Sequence, residues 1–190
     1  LFEEHWGFNR GYRVMTYDAQ YFAKLKRWGV PAWHIGAGAN MAFRREAFDR
    51  VGDFDIRLDV GAAGCSGDSE IWYRFLAAGL VCRYDPRAVA FHYHRKDMKG
   101  LRRQMYYYMR GHTAALLVQF ARHRHWGNLV RLVFLLPLYY GKLIAQGLLQ
   151  GFSPRHGLVP IECVGCLAGV WFFLRNMRTP IQDSNSAPSS

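Results

Sequence analysis

Asp68 has the most telling surroundings of any residue able to do chemistry. It closes a stretch with glycines at 36, 38, 61, 64 and 67 and opens the helical pattern DSEIWYRFLAA. Glycines let a backbone turn tightly or approach a ligand closely. A carboxylate at that junction can cap the helix, ligate a metal or accept a proton, and a helix N-terminus favours negative charge. His92 and His94 end an apolar run two residues apart, so on a strand they share a face. Imidazoles there suit an ion such as Mn, whereas Mg prefers oxygen; they equally suit a strand edge with satisfied hydrogen bonds. Asp53 and Asp55 form an Asp-x-Asp, but EAFDRVG before them reads as a short amphipathic helix and a glycine, not as a buried strand. The pair is therefore not read as a metal motif. Cys163 and Cys166 form a CxxC inside an apolar helix without a second pair, which favours packing over zinc or redox chemistry.

These side chains need elements to hold them. Asp18 reads as the N-cap of a helix running through YFAKLKRW to Gly29, with Pro31 just beyond. Ala39 to Phe43 is an apolar run suited to a buried strand, and RREAFDRV reads as a brief helix ended by Gly52. The chain is loop-like from Asp53 to Gly67 and helical from Asp68 to Ala78. There Ile71, Trp72, Phe75 and Leu76 make one face, and Glu70 pairs with Arg74 at i, i+4. Leu80 to Tyr84 and Ala88 to His94 read as two strands around the Asp85-Pro86 turn. This mixed order predicts an α/β region. Beyond Asp97 helices take over, across 98–123, 126–151 and 158–175.

The 190 residues suit one domain or one and a fraction. The net charge of +11 divides unevenly: 14 basic against 12 acidic residues up to Asp97, then 11 against 2, giving +2 and +9. The basic half is also rich in Leu, Val, Phe, Tyr and Trp, which points to an anionic membrane surface rather than to nucleic acid. Tyr106, Tyr107 and Tyr108 beside Arg102, Arg103 and Arg110 point in different directions on a helix, which disfavours base stacking. LVRLVFLLPLYYGKLIAQGLL is long enough to span a bilayer but carries Arg131, Lys142 and Pro137. GLVPIECVGCLAGVWFFL contains Glu162 and has basic flanks. Both are read as interfacial or re-entrant helices, with a true span as the alternative. The four cysteines lack framework spacing and fit a reducing compartment. The polar end, 179–190, reads as disordered.

The blocks GAGANMAFRREAF, VGDFD, GDSEIWYRFLAAG and YDPRAVAFHYHR, in that order, resemble the C-terminal half of an inverting family 2 glycosyltransferase with the GT-A fold. The resemblance covers 1–112. It implies a fold class of α/β, a partial GT-A (nucleotide-diphospho-sugar transferase-like) domain lacking its N-terminal nucleotide-binding half, followed by a mainly α-helical C-terminal region. Residues 113–178 would form membrane-associated helices. The family's helix has the form EDxDLxxRL; here Gly67 replaces the first Glu, while Asp68, Glu70, Ile71, Arg74 and Phe75 keep the pattern. The resemblance implies that Asp68 is the general base, taking the acceptor hydroxyl proton as that oxygen attacks the anomeric carbon from the far side. It further implies that Asn40, Gly38, Asp55 and Glu70 lie on the acceptor side. His92 and His94 would ligate the metal or meet the diphosphate leaving group, and Arg103 and Gln104 would close over the donor phosphates.

The implied cofactor is a divalent cation, Mn or Mg, held mainly by an Asp-x-Asp motif expected upstream of Leu1. The implied partners are a nucleotide-sugar donor, a glycan or lipid-linked acceptor and the cytoplasmic face of the cell membrane, with no nucleic acid. Cell-surface polysaccharide or glycolipid synthesis would be the setting. On this reading the 190 residues are part of a longer protein and inactive alone. The competing reading is a non-catalytic membrane-surface or protein-binding module, which accounts for the basic half but leaves the GDSE and HYH blocks unexplained.

Overall fold

The computed structural model describes residues 11–91 and 97–176. Strand β1 (Met15–Tyr17) leads into α1 (Ala19–Leu25). Asp18 caps α1 as its type suggests, its Oδ1 accepting from the backbone N–H groups of Gln20 and Tyr21. Single turns of 3-10 helix follow at Lys26–Trp28 and Ala32–His34. Helix α2 (Arg45–Val51) ends at Gly52, and a third 3-10 turn covers Ile56–Leu58. Helix α3 (Gly67–Ala77) precedes β2 (Cys82–Tyr84), which pairs antiparallel with β1 in the register Met15↔Tyr84, Thr16↔Arg83 and Tyr17↔Cys82.

Two expected strands are absent among the described residues. From 39 to 43 the chain turns, Asn40 N–H donating to the Ala37 carbonyl, then runs without regular structure. No neighbouring strand offers that run a ladder; its apolar content goes instead to Phe43, which packs edge-on against Phe48 and Phe54 and tilted on Phe75. Residues 88–91 are likewise irregular, and 92–94 lie outside the described residues.

Helix α3 is central because it is buried on nearly every side. Ile71, Tyr73 and Leu76 are buried, and Trp72 and Phe75 nearly so. They pack with Tyr17, Phe22, Val30 and Ile35 in one core. Tyr73 keeps its hydroxyl bonded inside that core, 2.7 Å from His125 Nδ1 and 3.0 Å from Asn128 Nδ2.

Helix α4 (Met98–His123) runs unbroken through residue 112 and serves both halves of the chain. It is followed by α5 (Gly127–Val130), a π-helical turn (Arg131–Leu135) and α6 (Leu136–Gln150), which together make one rod. A further 3-10 turn (His156–Leu158) opens α7 (Val159–Asn176). Helices α4 and α7 lie side by side in parallel. Gly165 faces the Tyr106 carbonyl and Gly169 the Arg110 carbonyl, and a Cβ on Gly165 would stand 2.5 Å from that oxygen. Small residues four apart are what lets two helix backbones approach so closely. Phe172 and Phe173 then close on a second core of Leu58, Ala63, Ala114, Ala115 and Val118. Gly127–Gln150 and His156–Asn176 are each long and apolar enough to cross a membrane, with mean hydropathies of 1.5 and 1.9.

Candidate active site

Asp68 occupies the first turn of α3, behind a tight entry. Ser66 precedes the helix in the left-handed region (φ 83°, ψ 11°), which costs a non-glycine residue roughly 1–2 kcal/mol and is the kind of strain that gathers at functional sites. Its carbonyl accepts the Glu70 N–H at 2.9 Å and starts the helix. The half-buried Asp68 carboxylate is held from two directions. Oδ1 accepts the Ser69 N–H at 2.7 Å and the Ser69 hydroxyl at 3.2 Å. Oδ2 accepts the Gly38 N–H at 2.9 Å. A Cβ at 38 would stand 2.8 Å from Oδ2 and would have to displace the carboxylate. The exposed Asn40 donates from Nδ2 to the Ala88 carbonyl at 2.7 Å. The glycine turn is thus tied to α3 at one end and to the 85–88 turn at the other. A carboxylate fixed by backbone N–H groups at the mouth of a strained turn is suited to receiving a proton from a bound hydroxyl.

The model of glycosyl transferase family group 2 matches residues 4–178. The chain belongs to that family. No curated protein and no solved structure matches it. Membership carries sugar transfer in general, from a nucleotide-sugar donor to an acceptor. The described part of this glycosyltransferase is helical with one two-stranded sheet.

The fold separates residues that the blocks group together. Gly38 and Asn40 stand with Asp68, whereas Asp55 and Glu70, expected on the acceptor side, are interior. Asp55 is 2 % exposed and is gripped by Arg57, with Nε to Oδ1 at 2.8 Å and Nη2 to Oδ2 at 2.6 Å. Burial pushes its pKa up, but the Arg57 hydrogen bond and charge outweigh that and hold it below the usual carboxylate value. Glu70 is fully buried and accepts from Arg74 Nε at 2.8 Å; burial raises its pKa against the pull of Arg74 and Arg122. Arg74 gives three more donors to the carbonyls of Val51, Gly52 and Asp53. In these positions the two carboxylates brace the interior under α3, their oxygens turned to guanidinium groups rather than to solvent.

Arg103 and Gln104 lie on α4, where Gln104 Nε2 donates to the Tyr108 hydroxyl at 2.7 Å and Arg103 stacks over Tyr107 at 5.8 Å. Tyr107 in turn packs against Gly64, in the loop that leads to Asp68. His92 and His94 lie outside the described residues. Among the described residues no three of His, Cys, Asp and Glu stand together as metal ligands. The side chains described do not by themselves build a site for a divalent cation.

Asp59 is the residue that sequence reading missed. It is exposed, and its Oδ1 lies 3.4 Å from where a Cβ on Gly67 would be. A carboxylate therefore reaches the position next to Asp68 where the family pattern carries Glu. The 59–64 turn delivers it, with the Asp59 carbonyl accepting from both Ala62 and Gly64 N–H groups.

Proposed function

We propose that this chain carries the catalytic base and the acceptor side of an inverting sugar transfer, with Asp68 as the base. The observation that carries this reading is the Asp68 carboxylate pinned by Gly38 N–H and Ser69 N–H at the entrance to α3. The acceptor hydroxyl gives its proton to Asp68 while its oxygen bonds to the anomeric carbon. The bond from that carbon to the nucleoside diphosphate breaks, and its electron pair leaves on the diphosphate oxygen. Gly38 leaves room beside the carboxylate, Asn40 holds the acceptor-side turn, and Asp59 supplies the second negative charge. Arg103 and Gln104, one turn from Tyr107, are placed to meet donor phosphate. His92 and His94 are kept as the candidates for a metal or diphosphate contact.

The acceptor is proposed to be a glycan or lipid-linked sugar presented at the cytoplasmic face of the cell membrane. Support comes from how α7 is seated. Its exposed stripe of Val164, Leu167, Trp171 and Leu174 faces away from α4. Helix α4 carries Arg102, Arg103 and Arg110 along the same length. A helix with that many charges would be driven into hydrocarbon if α7 crossed the bilayer upright, at several kcal/mol per charge. Lying in the interface, α7 buries its stripe and leaves α4 in water.

The test is Asp68→Asn in the active enzyme. Transfer should fall by about 10²–10⁴, the range of a lost general base, with circular dichroism unchanged. Near wild-type turnover would remove the assignment.

A further inference from the structure

We infer that the cleft between α2, the C-terminal end of α3 and the C-terminal end of α4 is a binding site for a phosphate group. The cleft measures about 220 Å³ and is lined by Arg50, Arg74, Arg122 and His123, with Val51 and Ala77 at its sides. Its volume admits several water-sized groups at about 30 Å³ each, ample for a phosphate.

Charge argues for an anion. The cluster holds Arg50, Arg57, Arg74 and Arg122 against Asp55 and Glu70, an excess of two cations. Asp55 is engaged by Arg57 and Glu70 Oε2 by Arg74, while Glu70 Oε1 is buried without a hydrogen-bond partner and looks toward Arg122. Arg74 has one of its five donors left, since three others go to backbone carbonyls and one to Glu70. Arg122 is different. Its contacts are long, Nη2 to Asp55 Oδ2 at 3.4 Å and Nε to Glu70 Oε1 at 3.9 Å. Arg122 Nε and His123 Nε2 are both shut off from solvent without a hydrogen-bond partner. Buried donors without partners are costly, and charged ones more so. A phosphate oxygen in the cleft would serve both, and a guanidinium fork matches phosphate geometry. Arg50 stands at the rim, with Nη2 on the Ala78 carbonyl at 2.7 Å. The field is felt by His123 itself: burial first, then His125, Arg122, Arg74 and Lys26, push its pKa down to about 4.

The site is separate from the proposed base. Asp68 lies in the first turn of α3 and Ala77 ends the helix, so the two are about 14 Å apart along the axis at 1.5 Å per residue. The proposal does not rest on Asp68 being the base. Phosphate could arrive free in solution or as the headgroup of an anionic lipid. The second source is within reach, because His123 is four residues before Gly127, where the first long apolar rod begins.

The experiment is histidine-selective NMR of the full chain in phosphatidylcholine nanodiscs, titrated with inorganic phosphate. The His123 ring resonances should shift saturably. Arg122→Gln should weaken the apparent affinity by about tenfold or more, the effect of one charge-assisted hydrogen bond. Arg50→Gln, at an exposed position, should weaken it as well and carries the test if Arg122→Gln fails to fold. In nanodiscs containing phosphatidic acid, a His123 shift already present that no longer answers to added phosphate assigns the site to a lipid headgroup. A continued response to free phosphate assigns it to a soluble ligand. No His123 shift with either source overturns the proposal, as does a shift whose affinity is the same in wild type and Arg50→Gln.

Discussion

The Gly38 N–H and the Asp68 Oδ2 meet at 2.9 Å across thirty residues of chain. With the Ser69 N–H and hydroxyl on Oδ1, three of the roughly four acceptor sites of a carboxylate are filled. One remains for a proton donor, so the carboxylate has one direction in which to act. Replacing Gly38 by Ala puts a Cβ 2.8 Å from Oδ2 and must turn the carboxylate away. The variant should fold with a loss of about 1–3 kcal/mol and lose at least tenfold in kcat. Chemical denaturation and initial-rate kinetics measure the two effects separately.

Asp59→Asn should leave stability within about 0.5 kcal/mol, because the side chain is exposed. If Asp59 supplies charge beside Asp68, transfer should drop and its dependence on added divalent cation should change. Unaltered rate and cation response would show Asp59 to be a turn residue only.

Arg74→Met should destabilise by about 3–5 kcal/mol, since it strands Glu70 as an unpaired buried carboxylate. Adding Glu70→Leu should recover part of that loss. The carbonyls of Val51, Gly52 and Asp53, which Arg74 also serves, would still lack a donor, so recovery should stay incomplete. Urea midpoints of both variants measure this.

Acid should weaken the fold through its buried histidines. Burial and Arg131 lower the His112 pKa to about 4, and His123 sits at about 4 as well; His125 is lowered too. An unfolded histidine titrates near 6.5. Below that value the unfolded chain binds protons that the folded chain excludes. Stability is therefore complete above about pH 6.5 and falls as pH drops toward the folded values. After allowance for partial exposure, the loss from pH 6.5 to 5 should be about 2 kcal/mol, or about 5 °C in Tm. Thermal scans in phosphate-free buffer test it.

Gly169→Leu should separate α7 from α4, because any side chain at 169 meets the Arg110 carbonyl and the Thr113 Cβ. Leu167→Asp should leave that seam intact and weaken binding to anionic vesicles, since Leu167 is 72 % exposed. A flotation assay beside a stability measurement distinguishes the two outcomes.

The helices were legible because their signals are periodic or capped. Asp18, Gly52 and the 71, 72, 75, 76 face mark α1, α2 and α3, and the three later helices start and stop within a residue or so of expectation. Short apolar runs such as 39–43 carry no period that separates strand from loop. That i, i+4 spacing joins Glu70 to Arg74 could be read directly. Its burial could not, because it depends on Arg122 and the 51–53 carbonyls, which approach from distant parts of the chain. Asp59 had no signal at all; its nearness to Gly67 is made by a turn whose shape the residue types leave open.

The rod that begins at Gly127 is fastened to a segment made about a hundred residues before it. Arg131 gives two hydrogen bonds to the Gly29 carbonyl, at 3.0 and 2.8 Å, across 102 positions, and His125 and Asn128 complete the Tyr73 hydroxyl inside α3. During synthesis at about 5–20 residues per second, the docking surface around Gly29 waits about 5–20 s for its partner to emerge. Until then the Tyr73 hydroxyl lacks both of these partners. Docking of the apolar rod and completion of the core around α3 are consequently a single event in the life of the nascent chain.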